Sequence, residues 1–256
     1  GNQGSTTPSF YVGGVNQNGF VGFGTTTTKT LARLVMDNSF TNETGATSAI
    51  AGVIAFAVGS VMGVLRTTSN ATLAFIGNAY VELFRNIPLI VQFFIWYFVV
   101  PEMVPSVKAW SIEQDPTLVQ FIASVLCLGL FTGARMAEQV KSGILSLPRG
   151  QRYAGYALGF TQAQTYRYVL LPMAYRIITP PMTSEAMNLF KNSSVALTIG
   201  LTELTFRTRE MGEVTFAFME AYIAATVLYV IVAMTINRVM VFIERKTAVP
   251  GYITGG

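Results

Sequence analysis

Charged and amide side chains next to or inside apolar stretches are the residues of this chain best suited to chemistry. Arg135 and Glu138 follow the apolar run CLGLFTGA, whereas Arg85 and Gln92 lie on either side of Pro88. A charged group at the centre of a membrane helix costs about 2.5–3.5 kcal/mol on insertion scales, so such groups usually face a cavity or a partner. We therefore expect these residues near a pathway for a polar solute.

Arg135 is the sharpest candidate for binding a solute. Its planar guanidinium is able to hold a carboxylate through two hydrogen bonds, which is the chemistry that an acidic solute requires. The alternative is a structural ion pair with Glu138 at i,i+3. Glu82 and Arg85 form a second predicted i,i+3 pair, for which we favour a structural or gating role. Gln92 is a weaker pathway candidate, and a buried hydrogen bond between helices explains it equally well.

A polar stretch, Met173 to Gly200, holds the remaining pathway candidates. Hydropathy alone does not identify it as a membrane span, but a polar helix spans when its polar side faces protein or a cavity. Three of its side chains share one face at i, i+3 and i+7 and a fourth lies beside them: Glu185, Asn188, Asn192 and, fourth, Lys191. This face is expected to line the solute route or a contact with a second subunit. Pro180 and Pro181 are expected to interrupt the helix.

The composition indicates a membrane protein. Of the 256 residues, 51% are hydrophobic and 12% are charged, whereas an average soluble domain has about 25% charged residues. The absence of histidine and the single cysteine, Cys127, exclude an internal disulfide and argue against a zinc site. The net charge is +4, but the basic residues recur at the ends of apolar runs, so we expect no nucleic acid partner and no metal.

The apolar runs define an all-α integral membrane protein. Four spans are predicted by hydropathy and a fifth by its context: about 49–65, with a possible extension to 46, then 80–100, 118–144, 173–200 and 215–243. Residues 49–246 are thus the expected transmembrane domain. Residues 1–48 are expected to be a polar extracytoplasmic segment, and residues 247–256 a cytoplasmic tail.

The charges in the loops predict an orientation. Basic residues concentrate on one side of the five-span arrangement: Arg66, Lys141, Arg149, Arg152, Arg167, Arg176, Arg245 and Lys246. The other side carries most of the acidic loop residues: Glu102, Glu113, Asp115, Glu203, Glu210 and Glu213. By the positive-inside rule the basic side is cytoplasmic, which places the N-terminus outside and the C-terminus inside. The polar loop 150–172 is then cytoplasmic.

This loop has the composition of a short helix that docks on another protein. Its small residues allow close approach to a partner's cleft: Gly150, Ala154, Gly155, Ala157 and Gly159. Pro172 marks the transition into the next span because it lacks a backbone donor. The sequence GxxxxGK[ST], which binds nucleotide phosphates, occurs nowhere in the chain. Energy from a nucleotide would therefore have to arrive through such a contact.

The loop also carries a recognisable signature. Gly159, nine further residues, and then Val169, Leu171 and Pro172 match the second half of the EAA signature of ABC-importer permeases. With the runs YVELFRNIPLIVQFFIWYF, LCLGLFTGARMAEQVKSGILSLPRGQ and YRYVLLPMAYRIITPPMTSEAMNLFKNSS, the chain resembles permeases of the polar amino acid ABC importers. It is most similar to the glutamate/aspartate subgroup.

The resemblance implies a type I ABC importer permease fold in the bacterial inner membrane, with about five transmembrane helices and a cytoplasmic coupling helix. It implies four partners: a second permease, homologous or identical, two cytoplasmic ATPases and an extracytoplasmic amino acid-binding protein. The ATPases would bind ATP and Mg, so this chain is expected to need no cofactor and to be no enzyme. The expected ATPase contacts are Gly150, Gln151, Tyr153, Ala154, Gly155, Gly159, Val169, Leu171 and Pro172.

Two departures from the family pattern bear on function. Relatives commonly have Glu-Ala-Ala where this chain has Tyr153, Ala154 and Gly155, so the usual carboxylate of the coupling loop is missing. Arg135 stands where the broader family more often has tyrosine. Two alternatives stay open: import of another polar amino acid, or a channel or secondary transporter that needs no ATP. An integral-membrane enzyme is remote, since no catalytic cluster of His, Cys or paired carboxylates is evident.

Two small-residue patterns predict close helix packing. Gly59 and Gly63 lie four residues apart in the first span, and Gly129 and Gly133 do so in the third. Such GxxxG spacing lets two helix backbones approach closely. We expect both patterns to serve contacts within the chain.

Overall fold

The protein is helical throughout the part that its structure describes, residues 44–247 of a computed structural model. The helices in chain order are α1 (Ala46–Leu65), α2 (Ala71–Asn86), α3 (Leu89–Met103), α4 (Pro105–Glu113), α5 (Pro116–Leu145), α6 (Arg149–Ala157), α7 (Gln162–Thr165), α8 (Leu171–Asn192), α9 (Leu204–Thr215) and α10 (Phe218–Thr247). The predicted tails, 1–48 and 247–256, lie almost wholly outside the described residues.

Within residues 44–247, three helices are long and apolar enough to cross a membrane by themselves. They are α1, α5 and α10, each of which contains an 18-residue window of high mean hydropathy: 2.2, 1.8 and 2.0 in that order. Helices α2 and α3 pass the same test only as a pair. Helix α8 has 22 residues, which at 1.5 Å per residue is roughly 33 Å and enough to span, although it is too polar to be identified by hydropathy. These helices correspond to the five predicted spans.

The predicted second span is wrong as a single straight helix. Helix α2 ends at Asn86 and α3 begins at Leu89, and the two are bent by 103°. Ile87 is extended, with φ −93° and ψ 127°, because the ring of a following proline disfavours the helical conformation. Gln92 closes the break, since its Nε2 donates to the carbonyl oxygens of Phe84 at 2.7 Å and Ile87 at 2.8 Å. The interhelical hydrogen bond is thus the interpretation of Gln92 that the geometry supports.

The predicted interruption of α8 at Pro180 and Pro181 is also wrong. The helix runs through both prolines from Leu171 to Asn192. Ile178 and Met182, on either side of the pair, are buried in the core with residues of α5. In a membrane helix, packing of this kind and local hydrogen bonds offset the donors that proline lacks.

The core is centred on the contact between α1 and α5, and the two glycine patterns meet there. A Cβ atom on Gly59 would lie 2.8 Å from the carbonyl oxygen of Gly133, and one on Gly63 would lie 2.6 Å from Val140 Cβ. A Cβ on Gly129 would lie 2.8 Å from Ile54 Cγ2. The intramolecular role expected for both patterns is confirmed.

A buried carboxylate caps α9 at the opposite end of the core from the loop between α5 and α6. Glu203 is 0% exposed, and its Oε1 accepts from the Phe206 amide at 2.8 Å. The Tyr229 hydroxyl donates to Oε2 at 3.1 Å. Glu203 lies outside the membrane-spanning helices, and burial raises the pKa of its carboxyl from the usual 4.5 to about 7, although these hydrogen bonds favour the ionised form.

Stability is expected to fall as the pH rises from about 4.5 to about 7, because the folded state holds the Glu203 proton more tightly than the unfolded chain does. The contribution is fully present below the unfolded pKa and is lost as the pH passes the folded one. Thermal unfolding of the purified protein across this range measures it. Glu203→Gln should flatten the profile, and a variant with the parent's pH dependence would contradict the assignment.

Candidate functional site: an interhelical ion pair and the coupling segment

Arg135 of α5 and Glu185 of α8 form a two-pronged ion pair. Arg135 Nε donates to Glu185 Oε2 at 2.6 Å, and Nη2 donates to Oε1 at 3.0 Å. The predicted alternative, a pair between Arg135 and Glu138, is therefore wrong about the partner. Local i,i+3 spacing suggested that pair, but α8 packs against α5 and brings a carboxylate to the guanidinium in better geometry.

The two members of this pair differ in exposure. The side chain of Glu185 is 7% exposed and that of Arg135 is 41% exposed. Arg135 Nη1 makes no hydrogen bond to any of residues 44–247. An exposed guanidinium within a membrane helix is costly unless it faces a cavity or a partner. The open edge of Arg135 is therefore suited to a further anionic group.

The other predicted residues of the α8 face are more accessible than Glu185. Asn188 and Asn192 are half-buried and Lys191 is exposed. Their side chains make no hydrogen bond or ion pair within the described part of the chain, which leaves them available to a solute or another subunit. The hydrogen bonds of the Arg135 side chain within residues 44–247 go to Glu185 and not to these three residues.

Glu138 belongs to a second cluster. Its Oε1 accepts from Arg66 Nη2 at 3.0 Å and from Arg85 Nη1 at 2.9 Å, while Arg66 Nε donates to Asn78 Oδ1 at 2.8 Å. The predicted pair of Arg85 with Glu82 is wrong, because α2 directs Arg85 towards α5. This cluster connects the corner between α1 and α2, residues 66–70, to α5.

Sequence reasoning placed Arg66 in a loop by its charge and did not identify it as a site residue. Its side chain is 7% exposed, and a Cβ on Gly77 would lie 2.6 Å from Arg66 Cγ. The sequence feature that could have identified Arg66 is its position directly after the apolar run of α1. An open groove of about 440 Å³ lies beside the cluster and is lined by Glu138, Lys141, Ser142, Leu145 and Ser146.

The loop 150–172 contains the expected short helix, α6, and a glycine ends it. Gly159 has a φ of +81°, a conformation in which a Cβ would be strained. Its amide donates to the Tyr156 carbonyl at 2.9 Å, and the Phe160 amide donates to the Gly155 carbonyl at 3.1 Å. These two bonds form a Schellman C-cap. Gly159 is thus required by the turn.

Gly155 also serves the chain itself. It is buried, and a Cβ there would lie 2.8 Å from Thr165 Cγ2, so its small size allows α6 to seat against the segment before α8. Its predicted contact with the ATPase stays a prediction. Pro172 is exposed near the start of α8, directly after the π turn.

The remaining surface of α6 is open and partly apolar. Tyr153 is 66% exposed, Tyr156 41% and Leu158 73%. Other predicted contact residues are also exposed or half-buried: Gly150, Gln151, Ala154, Val169 and Leu171. A cluster of exposed aromatic and aliphatic side chains is typical of a contact surface. This surface is the part of the candidate site that faces away from the rest of the chain.

Long apolar helices around an internal ion pair, with a short exposed helix between two of them, define a membrane subunit of a transport system. Residues 55–249 match the family described as binding-protein-dependent transport system inner membrane component, and the chain belongs to this family. The glutamate/aspartate import permease protein GltJ of Escherichia coli (strain K12) is 51% identical over 212 residues, covering 82% of this chain and 86% of GltJ. The corresponding GltK of Escherichia coli O6:H1 is 28% identical over 196 residues, covering 77% of this chain and 86% of GltK.

Solved structures agree on the fold. A crystal structure of an amino acid ABC transporter with histidines superposes with a TM-score of 0.68 at 25% identity, covering 84% of this chain and 97% of that one. An inward-facing methionine ABC transporter, MetNI, gives 0.65 at 23% identity, covering 87% and 98%. The type I ABC importer permease fold is confirmed, and the chain is a transmembrane permease subunit.

Proposed function

We propose that this permease imports glutamate and aspartate across a bacterial inner membrane in an ATP-driven complex. The observation that carries the substrate class is its 51% identity to GltJ, which extends over more than four fifths of both chains. Other relatives carry names for other amino acids at lower identity, such as a probable glutamine permease, GlnM of Bacillus subtilis, at 29%. The proposal therefore favours an acidic amino acid.

The ion pair between Arg135 and Glu185 supports this substrate class by its chemistry. The open edge of the guanidinium is complementary to a substrate carboxylate, and a fork of this kind holds two oxygens at once. Glu185 beside it is complementary to the ammonium group that every amino acid carries. Together they match a zwitterion with an additional acid group. In the empty site, each member compensates the charge of the other.

The proposed energy source lies in partner subunits. Since the sequence has no GxxxxGK[ST] loop, two cytoplasmic ATPases would bind ATP and Mg and dock on α6. An external binding protein would deliver the amino acid, and a second permease would complete the pathway. The loop charges support an orientation with the N-terminus outside and α6 in the cytoplasm. ATP-driven closure of the ATPases would then move α6 and alternate access to the pathway.

Transport by the reconstituted complex tests the function. Permeases and ATPases are placed in liposomes with ATP on the ATPase side and the binding protein on the other, and uptake of labelled glutamate, aspartate, glutamine and arginine is compared. We expect uptake of the acidic pair only, with ATP hydrolysis. Uptake without ATP would favour a channel or secondary transporter, and uptake of glutamine or arginine alone would overturn the substrate class.

The contact with the ATPase is expected to depend little on salt. Tyr153 replaces the carboxylate common in relatives, and the residue is 66% exposed, so burial of apolar area should dominate the contact. Raising the salt to about 1 M shortens the screening length to about 3 Å and should leave co-purification of the ATPase unchanged. Tyr153→Ser should weaken it at any salt. Dissociation of the parent complex by salt would contradict this prediction.

A further inference from the structure

A buried tyrosine joins the loop 150–172 to the corner between α1 and α2. Tyr166 lies in a single π-helical turn, Tyr166–Leu170, that precedes α8, and it is 6% exposed. Its hydroxyl donates to the Thr67 carbonyl at 2.7 Å and lies 3.2 Å from Thr67 Oγ1. A second bond supports the same contact, since Gln162 Nε2 donates to Thr68 Oγ1 at 3.2 Å.

Helix α6 contacts the same tyrosine from the other side. The guanidinium carbon of Arg152 lies 5.8 Å from the centre of the Tyr166 ring, which is within the range of a cation–π contact. Gly155 packs directly on Thr165, the neighbour of Tyr166. A displacement of α6 would therefore act on Tyr166 through Arg152 and on its neighbour Thr165 through Gly155.

The corner continues into the cluster around Glu138. Thr67 directly follows Arg66, whose guanidinium binds Glu138 of α5. Glu138 also binds Arg85, and Arg85 lies three residues before Pro88, where α2 and α3 meet at 103°. Contacts thus run without a gap from α6, through Tyr166 and the corner, to the broken helix. Sequence spacing showed none of them, because the bonded residues are 99 and 72 positions apart.

We propose that Tyr166 is a positioning residue that transmits movement of α6 to the α1–α2 corner and the Glu138 cluster, which rests on the proposed function of ATP-driven import. The π turn favours such a role, because single π turns inside helices are frequent at functional sites. The hydroxyl fixes the geometry of the contact with the corner by binding a backbone carbonyl, whereas the buried ring supplies packing and the contact with Arg152. Removing the hydroxyl therefore separates transmission from packing.

Tyr166→Phe in the complete reconstituted complex tests this inference, with Tyr168→Phe as the matched control. Tyr168 belongs to the same π turn but is 59% exposed, and each variant loses one hydroxyl. A neutral hydrogen bond is worth about 0.5–1.5 kcal/mol, a factor of roughly 2 to 12. We expect Tyr166→Phe to lower amino acid imported per ATP hydrolysed about fivefold, with unchanged assembly and basal ATPase and only a small decrease in the thermal midpoint, since the Thr67 carbonyl loses a donor. Tyr168→Phe should match the parent.

A double-mutant cycle with Glu138→Gln tests whether the contacts act as one path. If they do, the loss of coupling in the double variant is smaller than the sum of the single losses on a free-energy scale. Additive losses would overturn the path. Parental coupling in Tyr166→Phe, or a loss accompanied by failure of the complex to assemble, would overturn the role of the hydroxyl. A parent complex that imports no amino acid with ATP would instead overturn the proposed function itself.

Discussion

Arg135→Lys is expected to lower glutamate import by about tenfold or more while the complex still assembles and hydrolyses ATP at its basal rate. Lysine keeps the positive charge, but its ammonium is a point charge that does not reproduce the two-pronged grip of a guanidinium. Each hydrogen bond to a charged group is worth about 1.5–3 kcal/mol, so losing one accounts for a change of this size. Uptake of labelled glutamate by liposomes measures it.

A charge exchange between the helices provides the control for Arg135. Arg135→Ala alone is less informative, since it leaves Glu185 buried without its partner, which costs about 3–5 kcal/mol in buried pairs. The double variant Arg135→Glu with Glu185→Arg keeps an ion pair between α5 and α8 but moves the guanidinium to the buried position. If the pair only joins the helices, glutamate import by the double variant should match that of the parent. If Arg135 binds the substrate, import stays lost although the complex assembles.

Gly63→Ala is expected to lower the thermal midpoint of the purified complex by several degrees. The new Cβ would lie 2.6 Å from Val140 Cβ and 2.9 Å from the Ala137 carbonyl oxygen. Neither atom is the end of a flexible side chain, so α1 and α5 would have to separate. Overpacking of a close-packed core costs about 1–3 kcal/mol, which outweighs the gain of up to about 1 kcal/mol from replacing a helical glycine.

Gly52→Ala is the matched control in the same helix. A Cβ there would meet only the terminal Cδ2 of Leu189, at 3.3 Å, and that side chain is able to adjust by a few tenths of an ångström. We expect a midpoint equal to or above that of the parent. Equal stability of the two alanine variants would show that the contact between α1 and α5 tolerates a methyl group at either position.

The expectations that depended on local chemistry agree well with the structure. Runs of apolar residues located α1, α5 and α10 to within a few residues, because the length of a span is set by the thickness of the bilayer. The glycine patterns indicated close packing inside the chain, and α1 and α5 meet at both. The loop signature identified α6. Each of these features is determined by residues close together in the sequence.

The expectations about partners of charged residues failed where tertiary contacts compete with local spacing. In both predicted i,i+3 pairs the arginine instead binds a carboxylate on another helix: Arg135 binds Glu185, and Arg85 binds Glu138. Whether a proline ends a helix was also not determined by the local sequence. Pro88 ends a helix, whereas Pro180 and Pro181 lie within one, and only the packing of the surrounding side chains distinguishes the two outcomes.

By itself, the sequence determined that this protein is a helical membrane permease with a short coupling helix and charged groups along its spans, because hydropathy, charge and loop composition act locally. Only the tertiary structure decided which charges meet. Ion pairs and hydrogen bonds inside a membrane form wherever helix packing brings a donor and an acceptor within about 3 Å, and that distance does not depend on separation along the chain. The pair of Arg135 with Glu185 and the contact of Tyr166 with Thr67 both arise in this way.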